Sequence, residues 1–373
     1  MKKFASLLAA AALAVGCAKV DDSVIRVGEY GAMTGEIATF GTSTHEGLML
    51  AIEEANAKGG VNDKQLKLIS EDDRGKPEEA ALVVEKLISK DKVHALIGEV
   101  ASSNSLAAAP IAQRHGVPMI SPSSTNPKVT QQGDHIFRVC FIDPFQGKVM
   151  AKFATETLKA KKAAILRDQK SDYSMGLADV FGREFNAMGG KVVDDKSYTA
   201  GDVDFKAQLT ALRELKPDVV FVPGYYGEVG LIAKQAKQLG LKAPLLGGDG
   251  WDSEKLFEIG GAALDGNYYS NHTANDSKEP LVVAFVKKYQ DKYKKTPDVL
   301  AMLGYDAGGV LVDSLKRSKS LRGSDLREAI AATKGFVGVT GKITLDVERN
   351  AVKSAVVMRI GKGKAAYVAT VNP

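Results

Sequence analysis

The stretch Val93-His94-Ala95-Leu96-Ile97-Gly98-Glu99-Val100-Ala101-Ser102-Ser103-Asn104-Ser105 runs from apolar residues into hydroxyl-rich ones. The same order returns in Val117-Pro118-Met119-Ile120-Ser121-Pro122-Ser123-Ser124-Thr125-Asn126-Pro127. A strand that feeds a hydroxyl-rich helix start or turn brings free backbone N–H groups, O–H donors and a positive helix end to one place. Such a place holds a small anion, most simply a carboxylate, without a lysine. A third stretch, Gly247-Gly248-Asp249-Gly250-Trp251, also follows an apolar run and supplies an acid. An anion clamp beside a lone acid matches the two charges of a free amino acid.

Strand-like and helix-like segments alternate along most of the chain. Strands are expected at 24–29, 66–70, 93–97 and 117–120, and helices at 42–56, 77–89 and 105–115. In the first helix Leu48, Ala51, Ile52 and Ala55 recur at helical spacing, and Gly59-Gly60 ends it. The alternation resumes with strands at 163–166, 191–198, 218–222 and 245–246 and helices at 175–188, 205–215 and 228–239. Three further helices, at 280–293, 300–316 and 326–333, precede late strands at 338–346 and 355–360. This order predicts an α/β fold of doubly wound parallel sheets, whose ligands bind beyond the carboxyl ends of the strands.

Lys2, Lys3 and the apolar run from Phe4 to Val15 read as an export leader, too short to span a membrane. Ala14-Val15-Gly16-Cys17 places small residues before a cysteine, the pattern of a lipoprotein signal. Residues 1–16 are expected to be removed and Cys17 lipidated, tethering the protein to a membrane. The remaining chain of about 357 residues, 373 less the first 16, exceeds what one core organises, so two domains are expected. The formal net charge of +5 falls to +3 without Lys2 and Lys3 and is spread along the chain, which is no nucleic-acid footprint. Cys140 then has no intramolecular partner and reads as a buried, inert thiol. The five histidines lack metal-ligand spacing, so neither a metal nor a cofactor is expected.

Further signatures are Gly31-Ala32-Met33-Thr34-Gly35, Phe137-Arg138, Gln146-Gly147, Gly224-Tyr225-Tyr226, Gly240-Leu241-Lys242 and Gly338-Val339-Thr340-Gly341. With the stretches above, and in this order, they resemble the type I periplasmic binding proteins typified by the leucine/isoleucine/valine-binding receptors of ABC importers. The resemblance implies two Rossmann-like lobes joined by a three-stranded hinge and closing over a ligand. It puts 24–142 with 272–349 in lobe one, and 143–271 with 350–373 in lobe two. It implies that Ser102 and Thr125 hold the ligand carboxylate and that Ser123 offers a carbonyl to the ammonium. Asp249 pairs with the ammonium, and Tyr173, Tyr225 and Phe40 cover the site. Val100, Tyr226, Trp251 and Tyr305 are candidate side-chain walls. Asp249 is one methylene shorter than the family's usual Glu, and Ala101 stands where a disulfide cysteine is often found.

The resemblance thus implies a monomeric receptor in the periplasm or on the outer face of the cell membrane. It would hand a free amino acid, foremost a branched-chain one, to a permease and its ATPase subunits. A sensory receptor for an amino acid or small amide, signalling to a membrane partner, would use the same cleft. An enzyme is disfavoured: the chain has no Gly-x-Gly-x-x-Gly at the first strand, no phosphate loop, no nucleophile elbow and no His-Glu-x-x-His helix.

Overall fold

The computed structural model describes residues 23–373, so the leader and Cys17 lie outside the described residues. In chain order the first series is β1 (Val24–Gly31), α1 (Ala38–Ala57), β2 (Gln65–Asp72), α2 (Pro77–Ser89), β3 (Ala95–Ile97), α3 (Ser102–His115), β4 (Met119–Ser121) and β5 (Ile136–Arg138). The second is α4 (Asp143–Lys152), β6 (Lys162–Asp168), α5 (Asp172–Ala187), β7 (Lys191–Tyr198), α6 (Lys206–Glu214), β8 (Val219–Phe221), α7 (Tyr226–Gln238), β9 (Leu245–Gly247), α8 (Glu254–Gly260) and β10 (Tyr268–Asn271). The chain ends with α9 (Pro280–Tyr293), α10 (Val299–Arg317), α11 (Gly323–Ala331), β11 (Phe336–Gly338), β12 (Gly341–Ile343), β13 (Ala355–Gly361) and β14 (Lys364–Val371).

Two sheets organise two lobes. The first has the order β2-β1-β3-β4-β5, all parallel. The second has the order β14-β13-β10-β9-β8-β6-β7, parallel from β10 to β7, with β13 and β14 added antiparallel. The short central strands β3, β4, β8 and β9 are buried throughout. They read as continuous apolar runs because helices cover both faces of a parallel sheet. Polar loops follow β3, β4, β6, β8 and β9 at their carboxyl ends, which puts the hydroxyl-rich stretches and Asp249 together.

Several elements depart from the expected ones. α1 starts at Ala38 rather than 42, because its N-cap, Ile37, makes no side-chain cap bond and so left no start signal. α3 starts at Ser102 for the same reason, its N-cap being Ala101. The expected strand at 338–346 is the β11–β12 hairpin instead. Buried Asp306 accepts from Val339 N at 2.7 Å and Thr340 N at 2.9 Å and so fixes the turn. β14 lies at the sheet edge with every residue exposed or half-buried, and no strand was expected there from the sequence. Cys140 is buried, and burial pushes its thiol up to about 12, in keeping with an inert role.

Helices α1 and α10 pack closely on the first sheet. A Cβ on Gly47 would lie 1.8 Å from the carbonyl oxygen of Ala301, so only glycine admits this crossing. Gly47→Ala is expected to cost at least about 2 kcal/mol of unfolding free energy by overpacking, read from urea denaturation with an unchanged slope. A loss below about 0.5 kcal/mol would contradict this packing.

Candidate functional site

The two hydroxyl-rich stretches are tied to each other. Ser121 Oγ and Ser124 Oγ each donate to the carbonyl of Glu99 at 2.8 Å, and Ser105 Oγ lies 2.7 Å from Ser124 Oγ. Asn126 N donates to Ser102 Oγ at 3.3 Å. Arg138, fully buried on β5, braces the second loop by donating to the carbonyls of Ser124 and Asn126 and to Thr130 Oγ1. The loop therefore cannot move without leaving a buried guanidinium unpaired. The result is a rigid shelf of Ser102, Ser123 and Thr125 beside the first turn of α3, whose N–H groups have no intrahelical acceptors. Thr125 Oγ1 is buried and meets no partner at hydrogen-bonding geometry among the described residues.

The opposite wall comes from the second lobe. Asp249 opens a 3-10 turn, Asp249–Trp251, immediately after β9. Its carboxylate, 5% exposed, accepts from Gln146 Nε2 at 3.0 Å, from Ser123 Oγ at 3.5 Å and from His272 Nε2 at 3.1 Å. Its own N–H donates to Gln146 Oε1 at 3.2 Å. No Lys or Arg pairs with it among the described residues. A Cβ on Gly248 would lie 2.4 Å from the Tyr173 hydroxyl, so the tyrosine can approach only because residue 248 has no side chain. Tyr173 and Tyr225 stack with centroids 5.4 Å apart and planes 5° off parallel, and Phe40 meets the Tyr225 ring edge-on at 5.4 Å.

Hydrogen bonds cross from one lobe to the other. Ser103 Oγ donates to Asp172 Oδ2 at 2.8 Å and accepts from Asp172 N at 3.0 Å. Asn126 Nδ2 donates to the Asp172 carbonyl at 2.7 Å. Tyr226 OH donates to the Glu36 carbonyl at 2.9 Å, and Thr39 Oγ1 lies 3.0 Å from Ser253 Oγ. A cavity of about 580 Å³ remains between the lobes, lined on one side by Gly35, Arg74 and Ser103 and on the other by Ser171, Tyr225 and Glu228.

The structure thus brings Ser123 and Asp249 into direct contact, and groups Phe40, Tyr173, Tyr225 and Tyr226. Val100 packs in the apolar core, although its carbonyl accepts from Ser124 Oγ at 3.0 Å. Two candidates point elsewhere. The Trp251 indole stacks on Tyr269 and donates to the Val222 carbonyl at 3.0 Å, inside the second lobe. Tyr305 donates to Glu54 Oε2 at 2.9 Å, between α1 and α10. Trp251 follows a turn that sends its large ring inward, and Tyr305 lies on a helix packed away from the strand ends. Neither direction was legible in spacing alone. Three residues of the site were given no role there from the sequence: Gln146, Asp143 and His272. Gln146-Gly147 was visible as a signature without a role. His272 was one of several scattered histidines.

Asp143, fully buried, accepts from Gln146 Nε2 at 3.0 Å through Oδ1, while Oδ2 has no partner at hydrogen-bonding geometry. Burial pushes its carboxyl up to about 7, against the nearby Thr125 hydroxyl, which favours the charged form; Asp249 adds to the rise.

Residues 24–365 match the family model described as periplasmic binding protein. The chain is 32% identical over 361 residues to a Leu/Ile/Val-binding protein homolog 2 from Brucella abortus, covering 96% of each chain. A leucine-binding protein from Thermotoga maritima superposes with a TM-score of 0.90 at 42% identity, over 94% of this chain and 99% of that one. A branched-chain amino acid transporter substrate-binding protein from Streptococcus pneumoniae, solved with isoleucine, gives 0.89 at 34% identity, over 94% and 100%.

The raised acid at Asp143 has a pH signature. A carboxyl whose folded pKa lies above its unfolded value stabilises the fold fully below the unfolded pKa and loses that contribution as pH rises through the folded one. Asp143→Asn mimics the protonated form, and its thermal midpoint is expected to gain on the wild type from about pH 4 to about pH 7, then level off. A midpoint difference that stays flat over this range would contradict the assignment.

Proposed function

The chain belongs to the periplasmic binding protein family, in its leucine/isoleucine/valine-binding branch, and from that premise we propose that it captures a free branched-chain amino acid outside the cytoplasm for an ABC importer. The observation that carries this reading is the Asp249 carboxylate. It is buried, and its partners are an amide, a hydroxyl and an imidazole, with no permanent cation among the described residues. A buried charge without a counter-ion is costly, so the cleft calls for a cationic group from the ligand.

In this reading the ammonium sits at Asp249 and the Ser123 carbonyl. The carboxylate sits at Ser102, at the Thr125 hydroxyl and at the start of α3. Phe40, Tyr173 and Tyr225 exclude water over the ligand. The lobes, 24–142 with 272–349 and 143–271 with 350–373, turn about three chain crossings, and the bonds between Ser103 and Asp172 and between Tyr226 and Glu36 form on closure. The partners are a permease and its ATPase subunits. Lipidation of Cys17 tethers the receptor to the membrane; among the described residues no helix is long and apolar enough to cross one.

Calorimetric titration of ligand-free protein with a panel of amino acids and neutral amides tests the reading. Leucine, isoleucine or valine is expected to bind tightest, and Asp249→Ala to weaken that binding at least about a hundredfold. Binding of neutral amides alone, or a loss below about threefold in Asp249→Ala, would contradict it.

A further inference from the structure

His272 stands where the chain leaves β10 to cross back towards α9, and it touches the acid that the ligand needs. Its imidazole is wholly buried and stacks on Phe141, which lies just before α4, with ring centroids 3.7 Å apart. A carboxylate can only accept, so Nε2 carries the proton in the 3.1 Å bond to Asp249 Oδ2. In the neutral ring Nδ1 is then bare, and Nδ1 has no partner among the described residues. The residue therefore has one nitrogen committed to the ligand's acid and one free to take a second proton.

We propose that His272 is a positioning residue that makes ligand capture reversible by acid. When neutral, it orients Asp249 and leaves the full negative charge for the ligand ammonium. When Nδ1 takes a proton, the imidazolium becomes the cation of Asp249 and displaces the ammonium. The proposal rests on the reading of Asp249 as the ammonium site.

The physics is a competition of two cations for one buried carboxylate. Linkage makes it reciprocal: a ligand that disfavours the second proton on His272 is itself disfavoured by that proton. The other charged groups around the imidazole set its range. Burial lowers the His272 pKa below its usual value, the contact with Asp249 opposes this, and Lys353 on the third crossing adds to the lowering. Asp143 on α4 faces Asp249 through Gln146, and Asp276 and Lys278 follow on His272's own segment. His272 and Lys353 also lie beside a groove of about 1250 Å³, on a different surface from the cavity between the lobes.

The test is calorimetric titration of ligand-free, full-length protein with L-leucine at about pH 7.5, 6 and 5, in wild type, His272→Gln and His272→Ala. Glutamine keeps a donor for Asp249 and cannot titrate. The wild-type dissociation constant is expected to rise on acidification at least about threefold more than that of His272→Gln. Asp143 is present in both proteins, so its own titration cancels in this ratio. His272→Gln is expected to bind more tightly than His272→Ala at every pH, and the pH profile is the readout that packing alone would not move. Equal pH profiles in wild type and His272→Gln would overturn the proposal while leaving the ligand assignment intact. Failure of L-leucine to bind wild type at about pH 7.5 would overturn the ligand assignment and this proposal together.

Discussion

The buried Asp249 carboxylate, which has no permanent counter-ion among the described residues, is the constraint on which the site depends. Asp249 is held by Gln146, Ser123 and His272, all of which donate hydrogen bonds, and none of which need carry charge. Leaving a charge of this kind unpaired in a closed interior costs about 3–5 kcal/mol. A chain under no other demand would replace it with a neutral residue. The charge is tolerable if the closed form is completed by a cation from outside, and the geometry around it is built to make that cation welcome.

The scaffold explains how one acid and one set of hydroxyls come to face each other. Each sits on a loop at the carboxyl end of a central strand, and the two sheets present those ends to a common cleft. Rigidity comes from different sources on the two sides. In the first lobe, buried Arg138 and the serine hydroxyls around the Glu99 carbonyl fix the shelf. In the second, Gly248 lets Tyr173 approach, and the Tyr173 hydroxyl accepts from Gly250 N at 3.1 Å. The wall and the shelf are therefore each braced within their own lobe, so that in the proposed closure they would meet as preformed surfaces.

Much of this was legible in the sequence, because the deciding signals are local. An apolar run followed by serines marks a strand end and a helix start whatever the rest of the chain does, and so the two hydroxyl-rich stretches and Asp249 stood out, while the choice of Ser102, Ser123 and Thr125 within them came from the family resemblance. What escaped depends on contacts between distant segments. The direction of the Trp251 ring is set by Tyr269 and Val222, and the place of Tyr305 by Glu54 on another helix. His272 looked like any isolated histidine until the crossing between the lobes put it 3.1 Å from Asp249. Helix α4 announced itself only by Asp143-Pro144, a start signal too short to separate from a turn.

The most direct measurement is a crystal structure of the leucine-saturated protein. The account predicts the ligand nitrogen at hydrogen-bonding distance from Asp249, and the ligand carboxylate at Ser102, Thr125 and the first turn of α3. Leucine bound elsewhere, or bound in the cleft with its nitrogen away from Asp249, would contradict it.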